Sequence, residues 1–247
     1  VTIKDISILH GGHFGILATG VDNLTLSNLK IDTDCDGFDI DCCQNVRIDG
    51  CTVNSPFDDA ICLKSSYALG YARATENVTI ANCQVSGYNV GALLDGTFKR
   101  TYKEYQPNSS PNGRIKLGTE STGGFRNITI VNCIFDFSFG LALETVDGAP
   151  LEDISISNLT MRDIVDCPIF IRLGARMRAP AGTTASTCRR ININNVVVHN
   201  AHFKNGCIIS GLPGHNIEDV DLSNIQIHFA GGGIKAMANR QVEEYAK

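Results

Sequence analysis

Apolar and polar residues alternate in short runs along the chain, and the runs recur in one nine-residue unit. The unit is a polar residue, then apolar-x-apolar-x, then Asn, then apolar-x-apolar. It reads NLTLSNLKI at 23–31, NVRIDGCTV at 45–53, NVTIANCQV at 77–85 and NITIVNCIF at 127–135. It continues as DISISNLTM at 153–161, RININNVVV at 190–198 and DVDLSNIQI at 219–227, and the opening VTIKDISI is the same unit without its first residue. Alternation of period two predicts short strands, not helices. The Asn breaks the alternation at one fixed place, and Asn tolerates the left-handed conformation that turns a chain between two strands. Gly50 holds that place in one unit, and Gly reaches the same conformation without steric cost.

The unit starts are separated by 22, 32, 50, 26, 37 and 29 residues. The shortest gap is one coil of a solenoid, and longer gaps are coils carrying loop insertions. Coils stack at strand spacing, about 4.8 Å, and each buries its apolar face only against its neighbours. The predicted fold is all-β: a right-handed, single-stranded parallel β-helix forming one domain over 1–247, with an insertion at about 87–112. The chain begins inside a repeat, so an N-terminal cap is expected to be missing from this sequence.

A second set of strands is expected between the units, at His13–Ala18, Gly37–Asp41, Ala60–Lys64, Arg114–Gly118, Leu141–Thr145, Ile169–Leu173 and Cys207–Gly211. Its inward pairs are Phe38/Ile40, Ile61/Leu63, Ile115/Leu117 and Leu141/Leu143. Its outward line carries Asp39/Asp41, Cys62/Lys64, Arg114/Lys116 and Ala142/Glu144. That line is either a substrate groove or an ordinary solvated face, and the carboxylates at its edge favour the groove.

Composition narrows the function. Hydrophobic residues make up 43% of the chain and charged residues 19%, enough apolar material for a large core and too little charge for disorder. A formal net charge of −5 without a basic run makes nucleic acid an unlikely partner. No apolar stretch reaches the length of a membrane span. The ten cysteines lack CxxC spacing, and Cys83 and Cys133 recur at one place of the repeat, which suits stacked buried residues. No metal or cofactor is expected. Export would permit disulfides, whose pairing the sequence does not reveal.

Asp34, Asp36, Asp39 and Asp41 surround one rung, and Asp58-Asp59 begin the next. In the strand register Asp36 and Asp59 fall at equivalent places on neighbouring coils, with Asp58 one residue earlier. Singly, such pairs are turn formers. Crowded together, like charges raise at least one pKa and keep a proton available for donation. Glycoside hydrolysis needs such an acid and a partner carboxylate.

Here the chain resembles glycoside hydrolase family 28, the polygalacturonases. The family's Asn-Thr-Asp-Gly-hydrophobic-Asp motif is matched by Asp34-Cys35-Asp36-Gly37-Phe38-Asp39, and its Gly-Asp-Asp motif by Phe57-Asp58-Asp59. The resemblance implies Asp58 as general acid, Asp36 and Asp59 activating water, and inversion with acid and base about 6.5–9.5 Å apart. It also implies a pectic polysaccharide or oligosaccharide as substrate, of galacturonan or rhamnogalacturonan type and open to exo action; a secreted or periplasmic location is expected from that substrate, and a monomer is expected. Two positions depart from the family. Asn112-Gly113 stands at its Gly-His-Gly motif, and Ala142-Leu143-Glu144 at the Arg-Ile-Lys that holds a galacturonate carboxylate. Lys64, Arg114, Lys116, Glu144 and Arg172 are the candidate substrate-binding residues; Arg172 and Arg176 either bind substrate or pair with Glu120, Glu144 and Asp147, and the two roles are not exclusive. Aromatic and basic residues of the insertion, from Tyr88 and Phe98 to Tyr102 and Tyr105, either wall the groove for exo action or pack on the solenoid. The rival functions are a calcium-dependent pectate-lyase-like enzyme and a non-catalytic carbohydrate-binding solenoid.

Overall fold

The computed structural model describes residues 1–101, 111–202 and 206–239. Among them the repeat builds three strand ladders. The apolar-x-apolar-x half of each unit forms β1 (Thr2–Lys4), β4 (Asp22–Ser27), β7 (Gln44–Asp49), β10 (Thr75–Ala81) and β13 (Phe125–Val131). The second half forms β2 (Ser7–Leu9), β5 (Lys30–Asp32), β8 (Thr52–Asn54), β11 (Gln84–Ser86) and β14 (Ile134–Asp136). In the later coils both halves run together as β16 (Leu151–Arg162), β18 (Cys188–Ala201) and β20 (Ile217–Phe229), which joins the two ladders into one sheet. The third ladder is a separate seven-stranded sheet of β3 (Phe14–Thr19), β6 (Asp36–Asp41), β9 (Ile61–Ser65), β12 (Ile115–Ser121), β15 (Leu141–Thr145), β17 (Ile169–Leu173) and β19 (Ile208–Ser210). All ladder pairs are parallel, and the architecture is the right-handed parallel β-helix expected from the repeat.

The predicted register holds. Phe38 pairs with Ile61, Ile61 with Ile115, Ile115 with Leu141, and the Ile40-Leu63-Leu117-Leu143 line follows two residues on. These side chains are fully buried and meet Leu24, Ile48, Ile80, Ile130 and Ile156 from the other sheet in one continuous core. Each such Ile or Leu contributes about 1.5–3 kcal/mol through burial, but only because the coils above and below cover it.

The Asn corner also forms as expected. Asn28, Gly50, Asn82, Asn132, Asn158, Asn195 and Asn224 all have φ between 51° and 63°. Their amides stack as well: Asn132 donates to Asn82 at 3.2 Å, Asn158 to Asn132 at 3.1 Å and Asn195 to Asn158 at 3.2 Å. A corner that the pattern did not reveal lies five residues earlier, where Asn23, Asn45, Asn77, Asn127, Asp153, Arg190 and Asp219 are also left-handed. A third lies five residues later in some coils, at His10, Phe137, Asp163 and Asn200. Thr33, Ser55 and Gly87, the corresponding residues of the central coils, do not take it. There the chain leaves the repeat to make the loops before β6, β9 and β12, and every candidate catalytic residue sits on or beside them.

The ten cysteines are all unbridged; Cys51, Cys83 and Cys133 face the core as stacked small residues. The insertion packs on the solenoid through residues 88–101. Buried Asp32 accepts hydrogen bonds from the backbone N–H groups of Gly91, Leu93 and Leu94 at 2.8–3.1 Å. Arg100 lies 5.4 Å from the Tyr88 ring and 5.1 Å from the Phe137 ring, and pairs with Asp136 and Asp163. Tyr88 is therefore part of the packing, while Phe98 is exposed and meets it edge-on. Lys103, Tyr102 and Tyr105 lie outside the described residues.

Candidate active site

Asp36 opens β6, and Asp58 and Asp59 end the loop that leads into β9. Gly37 sets the distance between the two coils. A Cβ there would lie 2.2 Å from Val53 Cγ1 and 2.5 Å from the Ala60 carbonyl oxygen. With no side chain, its N–H donates to the Asp59 carbonyl at 3.0 Å. The Asp59 N–H in turn is shared between two carboxylates, Asp36 Oδ1 at 3.2 Å and Asp58 Oδ1 at 3.0 Å. One carboxylate oxygen from each of the three aspartates lies within 4.8 Å of the others. One backbone N–H thus draws two of the side chains toward itself.

The surroundings push the three apart in acidity. Burial raises Asp36, the neighbouring Asp59 raises it further, and it reaches about 6 although Lys64 pulls it down. Burial, Asp59 and Asp36 likewise raise Asp58 to about 6. Burial would raise Asp59 too, but Lys116 and Arg114 outweigh it and leave the carboxyl at about 2. Arg114 Nε donates to Asp59 Oδ1 at 2.8 Å, and Lys116 Nζ stands 3.3 Å from Oδ2. The cluster thus sets two carboxyls with raised pKa beside one held low by its cations. Asp36 and Asp59 are each only 2% exposed, whereas Asp58 keeps more open surface.

The cations expected on the outward line are present but occupied. Lys64 Nζ bridges Asp36 Oδ2 at 2.9 Å and Asp39 Oδ2 at 2.5 Å. Arg114 and Lys116 stand 3.9 and 4.0 Å from Glu144 Oε1. Glu144 is 0% exposed and its two oxygens accept no hydrogen bond, and burial raises its pKa. Read from sequence as a sugar contact, Glu144 lies instead beneath the surface as a counter-charge to the two cations. Arg172 is also buried, and its Nη1 donates to the Ser210 carbonyl and hydroxyl and to the Gly211 carbonyl at 2.8–3.1 Å. Those acceptors are on the next coil, and in the strand register Arg172 stands opposite Glu144. Arg176 takes the pairing role, with Asp147 and Glu120.

The three aspartates have the donor chemistry of a cation site. Lys64, Arg114 and Lys116 already supply the positive charge that such an ion would bring, so a metal is not needed to hold them together.

Two further residues meet the cluster. Asn112, read only as the loss of a family histidine, places Nδ2 3.5 Å from Asp58 Oδ1, at the outer limit of a hydrogen bond. Its Oδ1 is buried and accepts no hydrogen bond among the described residues. Phe57, beside Asp58, is 56% exposed. The signal for Phe57 was in the motif, where the family has Gly; the contact of Asn112 depended on how a 50-residue gap folds back, which no spacing reveals.

Comparison with known proteins agrees with the fold. The family model described as "Right handed beta helix region" matches residues 1–104. A polygalacturonase of Saccharomyces cerevisiae is 26% identical over 210 residues, covering 77% of this chain and 53% of the relative. The structure of polygalacturonase from Erwinia carotovora ssp. carotovora superposes with a TM-score of 0.67 at 15% identity, covering 95% of this chain and 56% of that one. The chain therefore spans about half the length of the relatives it matches. The structural likeness speaks for the fold alone, and the yeast relative is a sequence similarity spread over most of this chain.

Proposed function

We propose that the chain carries the active site of an inverting glycoside hydrolase acting on a pectic polysaccharide or oligosaccharide outside the cytoplasm, as a monomer and without a cofactor. One observation carries the reading: three carboxylates meet within 4.8 Å, two raised to about 6 and one held at about 2. Glycosidic cleavage needs both an acid and a base at one pH, and environments that push neighbouring carboxyls apart supply them. Asp58, the most exposed of the three, protonates the leaving oxygen. Asp59, ionised, and Asp36 orient the attacking water.

Inversion here follows the family resemblance, and proton NMR of the first anomer released decides it; a retained anomer overturns the water-attack assignment. Asp58→Asn should lower turnover by about 10²–10⁴-fold, the usual contribution of a general acid, with the thermal transition preserved. Full activity in that variant sinks the proposal. Unsaturated products that vanish with chelator would point to the lyase alternative. Tight oligosaccharide binding without turnover by the unaltered chain would point to a binding solenoid.

A further inference from the structure

We propose that Glu144 is a positioning residue: from behind Arg114 and Lys116 its carboxylate balances one of their two charges and so weakens their pull on the proton donor Asp58. This rests on the hydrolase reading above. The two cations stand between two carboxylates. On one side Arg114 Nε donates to Asp59 Oδ1 at 2.8 Å and Lys116 Nζ lies 3.3 Å from Oδ2. On the other, Arg114 Nη2 and Lys116 Nζ converge on a single oxygen, Glu144 Oε1, at 3.9 and 4.0 Å. Asp59 balances one positive charge, and Glu144 is the carboxylate placed to balance the second. All four residues are buried, so solvent screens them little, and an unbalanced charge there would be costly.

The chain builds a seat for Glu144. A Cβ on Gly118 of β12 would lie 2.6 Å from the Glu144 carbonyl oxygen and 3.1 Å from the Glu144 Cβ, so a glycine there is what leaves room for the glutamate on β15. The other charged or titratable groups around it have partners of their own. Arg172, opposite Glu144 on β17, donates to Ser210 and Gly211. Arg176 pairs with Asp147 and Glu120. Cys62 lies opposite Lys116, and burial pushes its thiol well above the ordinary value, so it stays neutral. Lys116 already pulls Asp58 down against burial and the two neighbouring aspartates. Glu144 carries the opposite charge in the same low-dielectric surroundings and offsets that pull.

Glu144→Gln keeps the shape of the side chain and removes its charge. Carbon-13 NMR titration of aspartate-labelled chains reads the consequence without a substrate. The Asp58 midpoint should fall by about half a pH unit or more in this variant, and Glu144→Asp, which keeps the charge, should bring it back toward the native value. An unmoved midpoint in Glu144→Gln overturns the proposal. So does the same shift in both variants, because shape and not charge would then be responsible. Should neither variant fold, the native chain labelled at glutamate decides: a Glu144 carboxyl ionised at pH 7 supports the balance, and one still protonated overturns it. Oligogalacturonates and rhamnogalacturonan oligosaccharides separate this proposal from the hydrolase reading. If the native chain cleaves them, the falling limb of kcat/KM should move with the Asp58 midpoint; a limb that stays while the midpoint moves overturns Asp58 as the acid. A native chain that cleaves neither sinks the hydrolase reading, and the titration still decides whether Glu144 acts on Asp58.

Discussion

The buried carboxyl of Asp36 carries a cost in stability that depends on pH. Its carboxyl is 2% exposed, crowded by Asp59, and titrates at about 6 in the folded chain, against about 3.9 in an unfolded one. The folded state therefore binds the proton more tightly. The stability that this provides is fully present below the unfolded value and is lost as pH rises toward the folded value. A gap of about 2 pH units between the folded and unfolded carboxyl corresponds to about 3 kcal/mol, and above pH 6 that full penalty applies. Asp36→Asn keeps the shape and removes the charge. It also takes one partner from Lys64, which retains Asp39. The pull of Lys64 strengthens as Asp36 ionises, and the value of about 6 already includes it, so comparing two pH values reads the net penalty of the charge. The variant should gain about 2–3 kcal/mol relative to the native chain on moving from pH 4 to pH 8, roughly 4–12 °C in melting temperature for a domain of this size. Differential scanning calorimetry of both proteins at both pH values measures it. An equal difference between them at pH 4 and pH 8 would refute the argument, since Asp36 would then titrate as an ordinary aspartate.

Other outcomes follow from the same geometry. Because the acid must be protonated, kcat/KM should fall as pH rises through about 6, where Asp58 and Asp36 titrate, and hold on the acid side until Asp59 protonates near 2; a profile rising from pH 5 to pH 8 contradicts these roles. Asn132→Ala should cost about 2–4 kcal/mol in urea unfolding, combining a left-handed corner at φ 56° with two amide-ladder hydrogen bonds. Asn132→Gly should recover the backbone part, and equal losses in the two variants would show that the conformation does not matter. Arg100→Ala removes the ion pairs to Asp136 and Asp163 and should speed proteolytic cleavage within 88–101 at little change in overall melting temperature; unchanged cleavage would show that Asp32 alone anchors the insertion.

Much of the architecture was legible because a β-helix is nearly one-dimensional. Each coil repeats the same local demands, so alternation of period two and a recurrent Asn identify strands and corner without knowledge of distant contacts. The pairing of Asp36 with Asp59 followed from the same register, since Phe38 opposite Ile61 leaves no other alignment. The earlier left-handed corner was not legible because Asp153, Arg190 and Asp219 share it with the asparagines, and a polar position alone does not announce a backbone conformation.

What the sequence by itself determined was the repeat, the inward faces and the three aspartates on adjoining coils, all consequences of spacing along the chain. Only the tertiary structure decided which charges face one another. Whether Arg114 points to a sugar or to Asp59, whether Glu144 lies in a groove or beneath it, and how near Asn112 comes to Asp58 depend on side chains and loops packing across coils. Electrostatic energy varies with distance and burial, not with separation in sequence. That is why one stretch of alternating residues specified the solenoid, while the acidity of its carboxylates emerged only once the coils were stacked.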